Sequence, residues 1–189
     1  MNILTDSLPK KIRLKDKLYD INYDYKTIIN ILIAFEDEEL TKEEKAYIMI
    51  KNLYVDNVPE EVLEIAIEKA IKFIDCDGAF SNEASSQRIY SFKKDANYIY
   101  SGINATHKID IEENPDLHWW KFMSLFMDMK SECMFGEITY YRTRLNEGKL
   151  TKEEKAQYKK IKSLIDLEDK TIHKKSEARK EFFMEFNKN

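Results

Sequence analysis

The sequence is poor in the residues that break helices and form tight turns. It contains 4 glycines and 3 prolines among 189 residues, which disfavours an all-β fold and favours helices joined by short polar loops. No apolar run reaches the length of about 18 residues that a membrane-spanning helix needs, and no cationic segment followed by an apolar one opens the chain. We therefore predict a cytoplasmic protein that neither spans a membrane nor is exported.

Residues with the spacing of known catalytic or metal sites are also lacking. The 2 cysteines, Cys76 and Cys133, stand alone, with no second Cys or His at metal-ligand spacing. The sequence thus supports neither a disulfide framework nor a zinc site. It contains no glycine-rich phosphate loop and none of the short motifs of metalloproteases, thiol oxidoreductases or serine hydrolases. We predict a protein that is not an enzyme and uses no cofactor or metal.

Charged residues are abundant but nearly balanced. They make up 35% of the chain and leave a formal net charge of −4, which implies no general attraction to nucleic acid phosphates. Residues 137–189 hold 14 Lys and Arg against 10 Asp and Glu, a net charge of +4, so residues 1–136 carry −8. We predict a helical domain over residues 1–148 and a charged helical extension over residues 149–189.

Apolar periodicity predicts a mainly α-helical, compact multi-helix domain with a small N-terminal β-hairpin. Ile12 and Leu14 alternate with basic residues, and residues 18–21 can pair back as a second strand, although the turn lacks an Asn-Gly or Asp-Gly signal. Apolar residues at helical spacing predict helices over residues 24–35, 41–53, 59–75 and 91 to about 106. We expect Gly78 to stop the third helix and Ser91 to cap the fourth.

Residues 116–129, with the sequence DLHWWKFMSLFMDM, hold both tryptophans of the chain. As a helix this segment has a broad apolar surface and only a narrow polar stripe, which predicts burial. Asp116 follows Pro115 and is predicted to cap the helix. The apolar surface carries Trp119, Trp120, Phe122, Met123, Phe126, Met127 and Met129. We interpret Trp119 as a core residue, with a binding hot spot as the alternative, and leave both interpretations open for Trp120.

The heptapeptide LTKEEKA occurs twice, at residues 40–46 and 150–156. In each copy Thr precedes Glu by three residues, which is the spacing of a capping box, so both copies are predicted to start helices. We interpret the repeat as a reused helix start and not as a duplicated domain. Between the copies, Gly136 is predicted to separate the tryptophan helix from a helix with Ile138, Tyr141 and Leu145 on one face.

The C-terminal extension ends in a cluster of aromatic residues. Between Ile172 and Phe182 only Ala178 is apolar, and Phe183 and Phe186 then follow. We predict a charged helix or arm whose aromatic end, at Phe182, Phe183 and Phe186, packs on a partner. The partner could be the body of the same chain or another molecule, and a homo-oligomer is one such arrangement.

Two further features invite a functional interpretation. His118 stands beside the tryptophans, but we predict that it bonds the backbone at the first turn of a buried helix, because no Ser, Cys or acid is placed nearby as a partner. His107 and His173 are predicted to be solvated. The segment YYRTR at residues 140–144 is basic and aromatic, yet Arg142 and Arg144 do not share a helix face, which weakens a nucleic-acid interpretation.

Several segments together resemble a known protein family. In order along the chain they are LTDSLPKKIRL, KLYDINYDYKTII, SFKKDANYIYSGI, DLHWWKFMSLF and YYRTR. With these segments, residues 3–145 resemble the gene-product-fifteen family of phages and prophages of Gram-positive bacteria. The most specific part is the run Leu117, His118, Trp119 and Trp120, followed by Phe122 and Phe126.

The resemblance implies a small protein encoded beside the tape-measure gene and thought to act as a tail assembly chaperone. Such a protein would bind the tape-measure protein in the host cytoplasm, in several copies and alongside neighbouring tail proteins, until the tail tube polymerises. Helix-in-groove binding without chemistry would suffice for that role. Two alternatives stay open, a minor tail component retained in the virion and a nucleic-acid-binding regulatory protein.

Overall fold

The computed structural model describes residues 3–79 and 87–167 of the chain. These residues form two β-strands and seven α-helices. The strands are β1 (Lys11–Leu14) and β2 (Lys17–Asp20), and the helices are α1 (Tyr25–Glu36), α2 (Lys42–Leu53), α3 (Leu63–Ile74), α4 (Ala96–His107), α5 (Trp119–Met127), α6 (Met134–Asn146) and α7 (Lys152–Ile165). The predicted mainly α-helical fold with an N-terminal hairpin is confirmed.

The chain divides into two compact units, Met1–Gly136 and Glu137–Asn189. The division falls within α6, whose first turn belongs to the first unit and whose remainder belongs to the second. That residues 149–189 form a separate extension stays a prediction.

The hairpin forms although its turn lacks a glycine. β1 and β2 pair antiparallel, with Ile12 opposite Tyr19, and both of these side chains are buried. Lys15 in the turn has a φ of 51°, a conformation that favours glycine. Its ammonium group donates to the carbonyl of Glu61 at 3.2 Å. Burial of the inner face and this long-range bond therefore hold a turn that the local sequence does not encode.

Helix starts follow local chemistry at three places. Asp24 caps α1 by accepting a hydrogen bond from the N–H of Thr27 at 2.9 Å. Both predicted capping boxes are confirmed, because Thr41 with Glu44 and Thr151 with Glu154 exchange the reciprocal bonds between side chain and backbone at the starts of α2 and α7. Identical heptapeptides thus give identical helix starts.

The third predicted helix is built in two pieces and ends in a sharp reversal. Pro59 precedes a 3₁₀ turn, Glu60–Val62, which leads into α3. After α3, three consecutive residues have positive φ angles, with 53° at Cys76, 60° at Asp77 and 79° at Gly78. The chain therefore leaves the helical conformation before Gly78. In this reversal the side chain of Cys76 is buried, and its burial raises the pKa of the thiol to about 12.

Two predicted helix boundaries are wrong. The fourth helix starts at Ala96 and not after Ser91, whose hydroxyl instead accepts from the N–H of Lys94 at 3.0 Å in a turn before the helix. Gly136 does not separate two helices but lies in the first turn of α6. A Cβ atom at Gly136 would overlap the backbone of Ser131, so the residue is required by close approach of the chain.

The first unit has one continuous hydrophobic core to which the hairpin and the helices of that unit contribute. Leu14, Ile28, Ile31, Leu53 and Ile103 are each at most 1% exposed. Among the helices of the described residues, none is long and apolar enough to cross a membrane.

Candidate functional site

His118 ends an extended segment and forms the N-cap of α5. Its Nδ1 accepts a hydrogen bond from the N–H of Trp120 at 3.1 Å, and its Nε2 lies 2.9 Å from the carbonyl oxygen of Pro9. These partners assign the neutral tautomer that carries its proton on Nε2. Burial lowers the pKa of His118 from its ordinary value, which also favours the neutral ring. Both nitrogens are engaged, so the ring holds structure together and offers no free position for acid-base chemistry.

The prediction that Asp116 caps the tryptophan helix is wrong. The residues after Asp116 are held extended against the chain that precedes α1. The N–H of Tyr25 donates to the carbonyl of Leu117 at 3.0 Å, and the N–H of Trp119 donates to the carbonyl of Tyr23 at 2.8 Å. Because these bonds hold the segment extended, the helix begins at Trp119, and Asp116 is exposed.

The two tryptophans cap the end of α3. The indole N–H of Trp119 donates to the carbonyl of Ile74 at 2.8 Å, and that of Trp120 donates to the carbonyl of Phe73 at 2.8 Å. The last carbonyls of a helix have no amide partner within it, so the indoles satisfy two of these acceptors. Trp119 is 1% exposed and Trp120 is 8% exposed. The pair therefore joins α5 to α3 and uses its polar atoms inside the protein.

Aromatic rings extend from the tryptophan pair through the core. Phe122 stacks on Trp119 with ring centroids 5.6 Å apart, on Tyr25 at 5.0 Å and on Phe126 at 6.2 Å. Such pairs stabilise a protein by about 0.5 to 1.5 kcal/mol each beyond the apolar area that they bury. The predicted motif residues from Leu117 to Phe126 thus lie together, at the place where α1, α3 and α5 meet.

Glu36 and Asp95 also fix the core, and sequence reasoning missed both. The carboxylate of Glu36 accepts from the N–H of Phe92 at 2.9 Å and from the hydroxyl of Ser91. Asp95 is 0% exposed and accepts from the N–H of Ser91 at 2.9 Å. No local pattern indicates the bonds of Glu36, because its partners lie on a distant segment of the chain.

Of the two histidines predicted to be solvated, His107 lies among the described residues and is bonded. His107 is not solvated, because its Nε2 lies 2.9 Å from the carbonyl oxygen of Leu125 and the ring is half-buried. The other predictions concern His173 and the aromatic partner surface of Phe182, Phe183 and Phe186, and these residues lie outside those that the structure describes.

An open groove of about 920 Å³ lies beside His118. Its walls come from the residues before β1 and from the segment before α5, and Leu117 is part of the lining. Carboxylates such as Asp6 and ammonium groups such as Lys10 and Lys121 both line it. This mixture gives the groove no clear preference for an anion or a cation.

The second unit uses its arginines internally. Arg142 is 3% exposed, and its guanidinium donates to the carbonyls of Ile165 at 2.5 Å and Leu164 at 3.3 Å. Arg144 donates to Glu154 at 3.0 Å, and the hydroxyl of Tyr140 bonds the same carboxylate and lowers the pKa of Glu154. These bonds tie α6 to α7, and they engage the guanidinium groups that a nucleic-acid site would present to phosphates.

Large apolar side chains outside the motif are exposed on the first unit. On α3, Leu63 is 38% and Ile71 is 46% exposed, and Leu18, Tyr47 and Val55 are 48%, 65% and 60% exposed. Apolar side chains that share one face mark candidate contact surfaces. Within residues 3–79 and 87–167, no cluster of three or more His, Cys, Asp or Glu could hold a metal ion.

The elements and the motif define a class of helical protein in which an N-terminal hairpin precedes the helices and two adjacent tryptophans bond the end of an earlier helix. The family model described as Bacteriophage Gp15 protein matches residues 4–167. The chain belongs to this family, which confirms the resemblance drawn from the sequence. The match extends beyond residue 145, where that resemblance ended, and includes α7.

Membership of this family indicates a structural or morphogenetic phage protein that interacts with other phage proteins. Neither the comparison with curated proteins nor the comparison with solved structures gives a match.

Proposed function

We propose that this chain is a tail assembly chaperone without enzymatic activity. It binds the tape-measure protein in the host cytoplasm, acts alongside neighbouring tail proteins, and is displaced when the tail tube polymerises. The observation that carries this proposal is the exposure of large apolar side chains on the first unit. The phage family to which the chain belongs supplies the context of assembly with other phage proteins. A tape-measure protein exposes apolar helical surface before the tube encloses it, and uncommitted apolar side chains can cover that surface by reversible helix packing.

The chemistry of the motif supports a role without catalysis. The ring nitrogens of His118 and the indole N–H groups of Trp119 and Trp120 are bonded to the backbone of the same unit. Catalysis needs a polar group that can reach a substrate. The most specific residues of the motif therefore serve the fold, and the proposed binding uses other side chains.

Co-expression with the tape-measure protein of the same tail module tests this proposal. We expect a higher soluble yield of the tape-measure protein and its co-purification with this chain. The matched control is the same vector with the start codon of this chain removed, which keeps the gene dosage and leaves the chaperone out. Unchanged solubility together with no co-purification would contradict the proposal.

A minor tail component retained in the virion is the second candidate, because exposed apolar side chains also suit a permanent subunit interface. Mass spectrometry of purified particles separates the two candidates. A chaperone is absent from the particles or strongly depleted, whereas a tail component is present at a fixed ratio to the tube protein.

The nucleic-acid-binding alternative predicts a different observable. Binding to DNA or RNA at low salt would weaken steeply as salt is added, because phosphate contacts release counterions. We expect no such binding, since Arg142 and Arg144 are engaged within their own unit.

A further inference from the structure

We propose that the row formed by Leu63, Ile67 and Ile71 on α3, the α3 stripe, is a docking surface for an amphipathic helix whose apolar face is flanked by basic residues. This inference deepens the proposed function and rests on it, because it names the surface and the chemistry by which the chain holds its partner.

The α3 stripe is apolar along two turns of helix. Its residues are spaced four apart, so their side chains form one row along the helix surface. Leu63 is 38% exposed, Ile71 is 46% exposed and Ile67 is half-buried. The row is about 12 Å long, which matches the contact face of a short partner helix. The core side of α3 is formed by Ala66, Ala70 and Phe73, and Ile67 in the middle of the stripe also packs against the core, so Leu63 and Ile71 supply most of the exposed apolar surface.

An acidic edge borders the stripe. Glu64 and Glu68 occupy the adjoining row, both are exposed, and the ion pairs within the described residues use neither of them. Glu60 and Glu61 add two exposed carboxylates at the end where α3 begins. Lys72 does not offset this charge, because its ammonium group pairs with Asp77 at 3.1 Å. Lys15, which donates to the carbonyl of Glu61 at 3.2 Å, and Lys69 on the same helix leave the four carboxylates in excess. The stripe therefore lies in a negative local field.

The helix that carries the stripe is held rigidly. Trp119 and Trp120 bond its last carbonyls, and the hydroxyl of Tyr54 donates to the carbonyl of Ala66 in its middle at 3.0 Å. A surface that is already ordered loses little conformational entropy when a partner binds. The stripe is thus preorganised, and its small area predicts a weak and reversible contact.

Charge decides between the candidate occupants. Two copies of this chain that packed antiparallel through their stripes about a two-fold axis would place their acidic edges side by side, which costs free energy. A partner helix with Lys or Arg beside its apolar face would instead pair with Glu64 and Glu68. The charge of the edge therefore favours a basic amphipathic helix of another protein.

Three labelled synthetic peptides test the proposal with the full-length protein. Each has about 18 residues and the same leucine stripe, and the residues that flank the stripe are Lys, Gln or Glu. We expect the Lys peptide to bind about ten-fold more tightly than the Glu peptide at low salt, with the difference shrinking as salt screens the charges. Equal binding of all three peptides would overturn the proposal.

Variants of the chain locate the contact. Ile71→Ser should weaken binding of the Lys peptide about ten-fold, whereas Ile109→Ser makes the same exchange at a side chain that is 39% exposed outside the stripe and should leave binding unchanged. Glu64→Lys with Glu68→Lys should invert the preference toward the Glu peptide. Glu38→Lys with Glu39→Lys makes the same change of net charge away from α3 and should not invert it. Inversion by the control pair, or equal losses in the two Ser variants, would overturn the assignment.

Sedimentation of the wild type and of Ile71→Ser tests whether a second copy occupies the stripe. If the wild type is a dimer and Ile71→Ser is a monomer, the occupant is a second copy and the basic helix is rejected. Failure of this inference is distinguishable from failure of the proposed function. If Ile71→Ser holds the tape-measure protein as well as the wild type does, the stripe is rejected and the chaperone stands. If the Lys peptide binds the stripe but the tape-measure protein does not co-purify, the chaperone is rejected.

Discussion

The tryptophan motif and the α3 stripe are both apolar, but they stand in opposite relations to the rest of the molecule. Trp119 and Trp120 are buried, and their indole N–H groups are bonded to backbone carbonyls. Leu63 and Ile71 are exposed, and they lie outside the core cluster of the first unit. The most distinctive residues of this sequence therefore stabilise the fold, while ordinary aliphatic residues on α3 are exposed and can contact a partner.

The two regions are also physically connected, because the motif bonds the end of the helix that carries the stripe. Without the indole donors, the carbonyl of Ile74 would need another partner, the carbonyl of Phe73 would keep only the N–H of Asp75, and the last turn of α3 would fray. The tryptophan pair therefore supports binding from a distance by fixing the surface that makes the contact.

The largest expected effect is the loss of the Trp119 side chain. Trp119→Ala removes a ring that is 1% exposed and should lower the free energy of unfolding by about 3 to 5 kcal/mol. Urea unfolding followed by circular dichroism measures the change, and Tyr47→Ala is the control because it removes an aromatic ring that is 65% exposed. A variant that melts normally but loses its partner would make Trp119 a binding hot spot and not a core residue.

A smaller effect should follow when only the indole N–H is lost. Trp119→Phe and Trp120→Phe each keep an aromatic ring but remove the indole donor to a carbonyl of α3, which should cost about 1 to 3 kcal/mol. Hydrogen exchange at the amide of Asp75, which closes the last turn of α3, should become faster in both variants. Phe122→Leu is the control, because it disturbs the same aromatic cluster without removing a donor. Equal acceleration in this control would show that packing, and not capping, protects the turn.

The pH dependence of stability should report on His118. Burial lowers the pKa of the folded residue from 6.5, so the unfolded chain takes up the proton first as the pH falls. Stability is therefore complete above pH 6.5 and is lost as the pH falls from there through the folded pKa. Protonation of Nδ1 also removes the acceptor for the N–H of Trp120, and a lost N-cap costs about 1 kcal/mol.

Unfolding titrations of His118→Asn test this account. Asn can accept the same backbone hydrogen bond but does not titrate in this range, so the variant should lose the contribution of His118 to the pH dependence that begins as the pH falls below 6.5. An unchanged profile would assign that pH dependence to other groups.

Local signals explain what could be predicted from the sequence. The two LTKEEKA segments form the same capping box in both units, because a capping box needs only residues within one turn. The amphipathic helices and the apolar alternation of the hairpin are encoded in the same way, by a period that can be counted along the chain. The burial expected for Trp119 follows from the apolar breadth of its helix.

Long-range partners explain what could not be predicted. Asp116 has the residue type of a cap, but the backbone bonds from Tyr23 and Tyr25 set the start of α5, and no local pattern reports them. Likewise, the pairing of Glu36 with Ser91 and Phe92 depends on a fold that brings distant segments together. The α3 stripe could not be predicted, because its residues continue the apolar pattern of the core face. Only the exposure of Leu63 and Ile71 distinguishes the stripe from that face.

The smallest expected effect on stability is at the stripe itself. Ile71→Ser exchanges two residues of similar helix propensity at a side chain that is 46% exposed, so the free energy of unfolding should change by about 1 kcal/mol or less. Urea unfolding of this variant beside Ala70→Ser, which changes a residue that is 0% exposed on the adjoining face of the same helix, measures the difference. Ala70→Ser should cost more, because it forces a hydroxyl into the core. If Ile71→Ser destabilised the protein as much as Trp119→Ala does, Ile71 would be a core residue. The stripe would then stabilise the fold, as the tryptophan motif does, and would not be a surface for binding a partner.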